Sequence, residues 1–183
     1  MSEGLMIRLC APTLAGLKAG SLFSADYRSE ESFREELRCL NRILVPKGLR
    51  ALSLRYGKTH ALVYVYRPSL LRRELSSQAV RAMLDELGYD ASSPEGCIRI
   101  LVQRLKHDER FPHEIGLFLS YPPEDVRGFM EHCAAECKCT GCWKVYGDEQ
   151  AAKKTFLRYK RCTENFWRRW QNGATMDRLT VAG

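Results

Sequence analysis

The sequence predicts an α+β fold: one domain with a small mixed β-sheet of about four strands, a central hairpin, and about six packing helices. Three observations lead there. An amphipathic helical stripe runs through residues 29–44, a hairpin signature occupies 49–68, and two short apolar runs at 113–121 and 142–147 are separated by helical stretches. A chain of 183 residues supports one well-filled core. Residues 1–183 are therefore read as a single globular domain, with about the last ten residues as a tail.

Pro12 fits the first turn of a helix running to about Gly20, because its missing N–H costs nothing there. That reading places Cys10 just before a helix N-terminus. Ser29 then caps a second helix with Glu30 and Glu31 in its first turn, and Phe33, Leu37, Leu40 and Leu44 fall on one stripe. Pro46 and Gly48 end it. The runs "LRALSLRY" and "HALVYVYRP" flank Gly57 and Lys58 as a hairpin, the second run apolar on both faces like an interior strand.

Pro68 opens helical material that Gly88 stops. Ser93 and Pro94 begin another helix, with Ile98, Leu101 and Leu105 facing inward. "HEIGLFLSY" reads as a third strand closed by Pro122 and Pro123, and a brief helix with Glu124 and Asp125 in its first turn follows. "CWKVYG" reads as a fourth strand. Asp148 caps a long final helix that Asn172 and Gly173 end.

Hydrophobic residues make up 45% and charged residues 28%, a globular balance that argues against disorder. No apolar run approaches the ~20 residues that span a bilayer, and the first residues lack the apolar segment of a secretory leader. A cytoplasmic location without membrane insertion is expected, and its eight cysteines then read as thiols or ligands rather than disulfides. The net charge of +7 is concentrated: residues 151–183 hold eight Lys and Arg against Glu164 and Asp177.

The blocks "CAPTLAGLKAGSLF", "YRPSLL", "FPHEIGLFLSYPPEDVRGFM", "GCWKVYGDEQAAKKTF", "YKRCT" and "RLTV" resemble the bacterial family called domain of unknown function 3793, in order and over nearly the whole chain. The resemblance implies a stand-alone cytosolic protein. It also implies that Cys10, Arg67, His113, Glu114, Trp143, Lys144, Tyr146 and Cys162 belong to recurring blocks. Arg67, Trp143, Lys144 and Tyr146 are the substrate-binding candidates that follow from it. Cys133 and Cys137 fall outside the pattern.

Four constellations carry chemistry. Cys10 at a helix start, with His113 and Glu114 opening a later strand, gives a nucleophile, a base and an orienter for acyl or thiol chemistry. Papain-like hydrolases share that arrangement, and "HEIGLFLSYP" is similar to the histidine strand of the NlpC/P60 peptidases. The plainer reading makes Cys10 a small packing residue. Cys133, Cys137, Cys139 and Cys142 supply soft ligands for zinc or an iron–sulfur cluster, which would make the chain a non-enzymatic metal- or redox-responsive binding protein, or else form a loosely held thiol-rich loop. The basic helix 151–171 interleaves cations with aromatics. It would dock an acidic protein or nucleic acid, unless its aromatics face the core. Glu114, Glu124 and Asp125 flank one strand, the last two explained as first-turn residues of the next helix. No glycine-rich phosphate loop is present.

Overall fold

The computed structural model describes residues 2–90, 93–108, 110–133 and 135–183. Its architecture is α+β, as the sequence predicts. The chain divides into two compact units, one formed by Met1–Leu71 with Arg161–Gly183 and the other by Arg72–Lys160.

The first unit begins with helix α1, Glu3–Leu14, capped by the Ser2 side chain, which accepts from Leu5 N at 3.3 Å. Pro12 lies inside this helix rather than opening one. Proline in that position forgoes the bond to Arg8 O, four residues back, and its ring crowds that carbonyl. Gly16 at φ +75° supplies the left-handed exit. Strand β1, Gly20–Asp26, follows in a stretch to which the sequence reading assigns no element. Helix α2, Glu30–Leu44, forms as expected, with Ser29 Oγ accepting from Ser32 N and Phe33, Leu37, Leu40 and Leu44 buried.

The hairpin joins β2, Arg50–Tyr56, to β3, His60–Tyr66. The sheet order is β1-β3-β2 with both ladders antiparallel. The predicted mixed sheet is therefore corrected to a three-stranded antiparallel one. β3 is its central strand, paired from Gly20↔Tyr66 to Asp26↔His60 on one side and from Arg50↔Tyr66 on the other. Two-sided burial explains why "HALVYVY" is apolar on both faces. A bulge between Ser53 and Arg55 shifts the register of β2.

The core of this unit joins Met6, Ile7, Cys10 and Leu14 of α1 to the α2 stripe and to Val63 and Val65 of β3. The last residues are not a tail. A short helix, Met176–Leu179, is capped by Thr175 and buries Met176 and Leu179, and Val181 N donates to Leu14 O at 3.0 Å.

In the second unit the described residues form several short helices. After α3 (Pro68–Leu75), which runs through the boundary at Leu71, come α4 (Gln78–Glu86), α5 (Pro94–His107), α6 (Ile115–Phe118) and α7 (Pro123–His132). "HEIGLFLSY" is thus one helical turn and not the expected third strand. Ile115 N, Gly116 N and Leu117 N donate to Pro112 O, His113 O and Glu114 O in succession, so the chain curls from Pro112 onward. Burial on all sides of Ile115, Leu117 and Phe118 erases the periodicity that separates helix from strand. "CWKVYG" contributes only Lys144–Val145 (β5), paired antiparallel with Cys139–Thr140 (β4) in a two-residue ladder. The long helix Glu149–Gln171 (α8) runs through the boundary at Lys160, and Asp148 Oδ1 caps it by accepting from Ala151 N at 3.0 Å.

Candidate functional site

A cavity of about 260 Å³ lies in the second unit, where α6, the start of α7 and β5 come together. Its apolar walls come from Ile115, Gly116, Tyr121, Val126, Phe129 and Trp143, and its polar groups from His113, Asp125 and Lys144. Tyr121 and Trp143 stack with ring centroids 4.9 Å apart. The His113 ring meets Phe129 edge-on at 4.8 Å, and Phe156 meets Trp143 edge-on at 4.5 Å. Gly116 is required at the wall, since a Cβ there would stand 2.8 Å from Val126 Cγ2 and 3.0 Å from Tyr121 Cδ2.

Asp125 braces this arrangement. It sits in the first turn of α7 and is 3% exposed. Its carboxylate accepts from Trp143 Nε1 at 2.6 Å and from Tyr146 N and Gly147 N at 2.7 Å each. Three donors on one buried carboxylate satisfy the indole N–H and two amides at the end of β5. The acid therefore positions the wall that Trp143 forms. Closest packing supports the same joint: a Cβ on Gly128 would lie 2.4 Å from Tyr146 Cγ. Burial pushes the Tyr121 hydroxyl up to about 12, so it stays protonated and donates to Cys142 O at 3.2 Å.

Glu114 is 4% exposed and accepts from the Tyr89 hydroxyl at 2.9 Å and from Arg104 Nη1 at 2.7 Å. The second Arg104 nitrogen donates to Leu87 O. The carboxylate expected to orient His113 is thus committed to an internal ion pair. Burial, followed by the Glu114 charge, raises the Tyr89 hydroxyl, which keeps its proton in that pair. His113 sits in a turn on the exposed surface rather than at a strand start.

Lys144 is half-buried on β5 and, among the described residues, has no carboxylate partner. Tyr146 donates its amide to Asp125, and its ring stacks on His132 at 6.0 Å.

Cys10 and Arg67 lie in the first unit, whereas His113, Glu114, Trp143, Lys144 and Tyr146 lie in the second. Cys10 occupies the third turn of α1 and not its start, and it is 0% exposed. Burial outweighs the Lys18 charge and the Ser21 hydrogen bond, and the thiol is pushed up to about 12. A thiol so placed remains protonated at neutral pH, the reverse of an activated nucleophile. Arg67 is also buried. Its Nε donates to Thr13 O at 2.7 Å, and its Nη2 donates to Leu14 O at 2.7 Å and to Val181 O at 2.6 Å. Those bonds tie the end of α1 to the closing segment instead of presenting a guanidinium to substrate. Its pKa is lowered by the same burial.

The four candidate metal ligands do not gather. Cys133 is the C-cap of α7, Cys137 approaches Thr140 Oγ1 at 3.8 Å, and Cys139 and Cys142 lie on or beside the β4–β5 hairpin. Among the described residues no three or more His, Cys, Asp or Glu side chains are placed to share a metal ion. On α8 the aromatics turn inward: Tyr159 and Phe166 are buried and Phe156 packs on Trp143. Lys154, Arg161, Arg168 and Arg169 stand exposed on its outer side. Among the described residues no helix is long and apolar enough to cross a membrane.

A family model described as a protein of unknown function (DUF3793) matches residues 6–180. The chain belongs to the DUF3793 family. No curated protein and no solved structure matches it. Within this DUF3793 chain, three sequence candidates, His113, Trp143 and Lys144, line one cavity. Ile115, Gly116, Tyr121, Asp125, Val126 and Phe129 complete it and went unrecognised as cavity residues in the sequence. The one usable signal was Trp143, whose indole N–H demands a buried acceptor. Asp125 answers that demand, but a first-turn acid needs no tertiary partner to explain it.

Proposed function

We propose that the second unit of this DUF3793 protein is a binding module for a compact, largely apolar small molecule held against Tyr121, Trp143 and Phe129. The observation that carries this reading is the braced aromatic wall. Asp125 fixes Trp143 through a 2.6 Å bond, and the ring bounds a cavity of about 260 Å³. That volume is just below the usual range for small-molecule sites, so the ligand is small. Among the described residues the lining holds no serine, threonine or cysteine, which favours binding over acyl transfer. Eight free cysteines fit a reducing, cytosolic setting.

The test uses 2-naphthamide, a neutral two-ring probe, against the full chain labelled with nitrogen-15. The protein has three tryptophans, hence three indole N–H resonances. Titration is expected to move the Trp143 resonance and leave those of Trp167 and Trp170 in place. No movement of Trp143, or equal movement of all three, overturns the reading.

A further inference from the structure

The polar groups of the cavity define what an apolar occupant must also carry. Of its four titratable lining residues, Tyr121 donates its hydroxyl to Cys142 O and Asp125 already accepts three hydrogen bonds at 2.6–2.7 Å. Its negative charge is therefore answered by an indole and two amides of the chain itself. Lys144 has no such answer: it is half-buried at the cavity, and no carboxylate among the described residues pairs with it. His113 adds ring nitrogens for which no hydrogen bond exists among the described residues, its ring being held by Phe111 and Phe129 through ring contacts alone.

A ligand covering Lys144 removes water from an ammonium. That cost is offset only if the ligand brings an acceptor, and best if it brings a negative charge. A cationic ligand would place like charges together in a poorly solvated space. Beside Ile115, Gly116 and Val126, the lining presents ring surface, stacked at 4.9 Å between Tyr121 and Trp143 and edge-on at 4.8 Å between His113 and Phe129. Ring edges and faces at these spacings favour a flat aromatic body over a branched aliphatic one.

We infer that the cavity selects a planar aromatic carboxylate, with Lys144 as its counter-ion and the Tyr121–Trp143 stack against its ring. The inference rests on the binding reading above and adds the charge and shape of the ligand. Lys144 is the specificity-determining residue. Asp125 acts only by positioning Trp143.

Calorimetric titration of the full chain with three probes of one shape tests this: 2-naphthoate, 2-naphthamide and 2-naphthylmethylamine. The expected order is naphthoate at least tenfold tighter than naphthamide, with the amine weakest. Lys144→Gln is expected to abolish the preference, so that naphthoate and naphthamide bind alike, with a circular dichroism spectrum like that of the native chain showing that the variant is folded. Lys144→Arg is expected to keep the preference. Equal affinity of naphthoate and naphthamide for the native chain, or a preference that survives Lys144→Gln, overturns the charge assignment and leaves the binding reading standing. Failure of all three probes to bind overturns both.

Discussion

Two single residues, Cys10 and Asp125, mark how far side-chain chemistry can be read from a sequence. Cys10 stands two positions before a proline, and proline commonly opens a helix, so a thiol at a helix start was the natural expectation. Ser2 was already available as a cap eight residues earlier, and α1 runs through Pro12. The cysteine is thereby moved from a reactive end to a sealed interior. That placement has a measurable consequence. Alkylation by N-ethylmaleimide at pH 8 is expected to modify the exposed Cys39, Cys133 and Cys142 in the native protein, and to reach Cys10 only in denaturant. The folded thiol holds its proton to about 12, whereas an unfolded one ionises near 9. Over that window the unfolded chain loses the proton first, so stability falls as pH rises, by about 1.4 kcal/mol per unit from this group. Urea unfolding of native and Cys10→Ala protein at pH 8, 9.5 and 10.5 checks it. A slope above pH 9 unaltered by the substitution would contradict the burial.

At the scale of elements, legibility followed the strength of the local pattern. Helix α2 announced itself through a cap, an acidic first turn and a full apolar stripe, and all three are present in the structure. Strand β1 was hidden because its alternation spans only seven residues and begins directly after Leu17, Lys18 and Ala19, all good helix formers. The 113–121 segment failed for the opposite reason: burial was too complete for any period to show. The α7–β5 joint has no local signature at all, since Asp125 and Gly147 are far apart in sequence and meet only through tertiary folding. Asp125→Asn tests how much that joint holds. An amide keeps one acceptor and turns two N–H groups toward the donors of Trp143, Tyr146 and Gly147. The expected loss is about 2–4 kcal/mol, from unpaired buried donors that had faced a charge. Denaturant unfolding followed by the near-ultraviolet signal of tryptophan reads it. A change below about 0.5 kcal/mol, the ordinary scatter of surface substitutions, would mean that the carboxylate does not brace the wall.

For the whole chain, an α+β class followed from composition and element order, but its division did not. The boundaries fall inside helices, in α8 at Lys160 and in the helix Pro68–Leu75 at Leu71, where no glycine, proline or polar linker marks a domain edge. The site candidates fall on both sides of that division, Cys10 and Arg67 in one unit and His113, Trp143 and Lys144 in the other. The closing residues show why composition misled. "ATMDRLTVAG" reads as a tail because it is short and weakly patterned, yet it returns to the first unit and is fastened there. Met176 and Leu179 are 1% and 2% exposed, Val181 N donates to Leu14 O, and Val181 O accepts from Arg67 Nη2 at 2.6 Å. Removing residues 176–183 exposes the partners of two fully buried side chains, each worth about 1.5–3 kcal/mol, and takes one of three acceptors from the buried Arg67 guanidinium. Stability is expected to fall by about 3–6 kcal/mol in urea unfolding. Leu179→Ala, which keeps the backbone bonds, is expected to lose about 2–5 kcal/mol. A dispensable tail would leave both variants with the midpoint of the intact chain, and that result would remove Arg67 from its role as the clasp of the first unit.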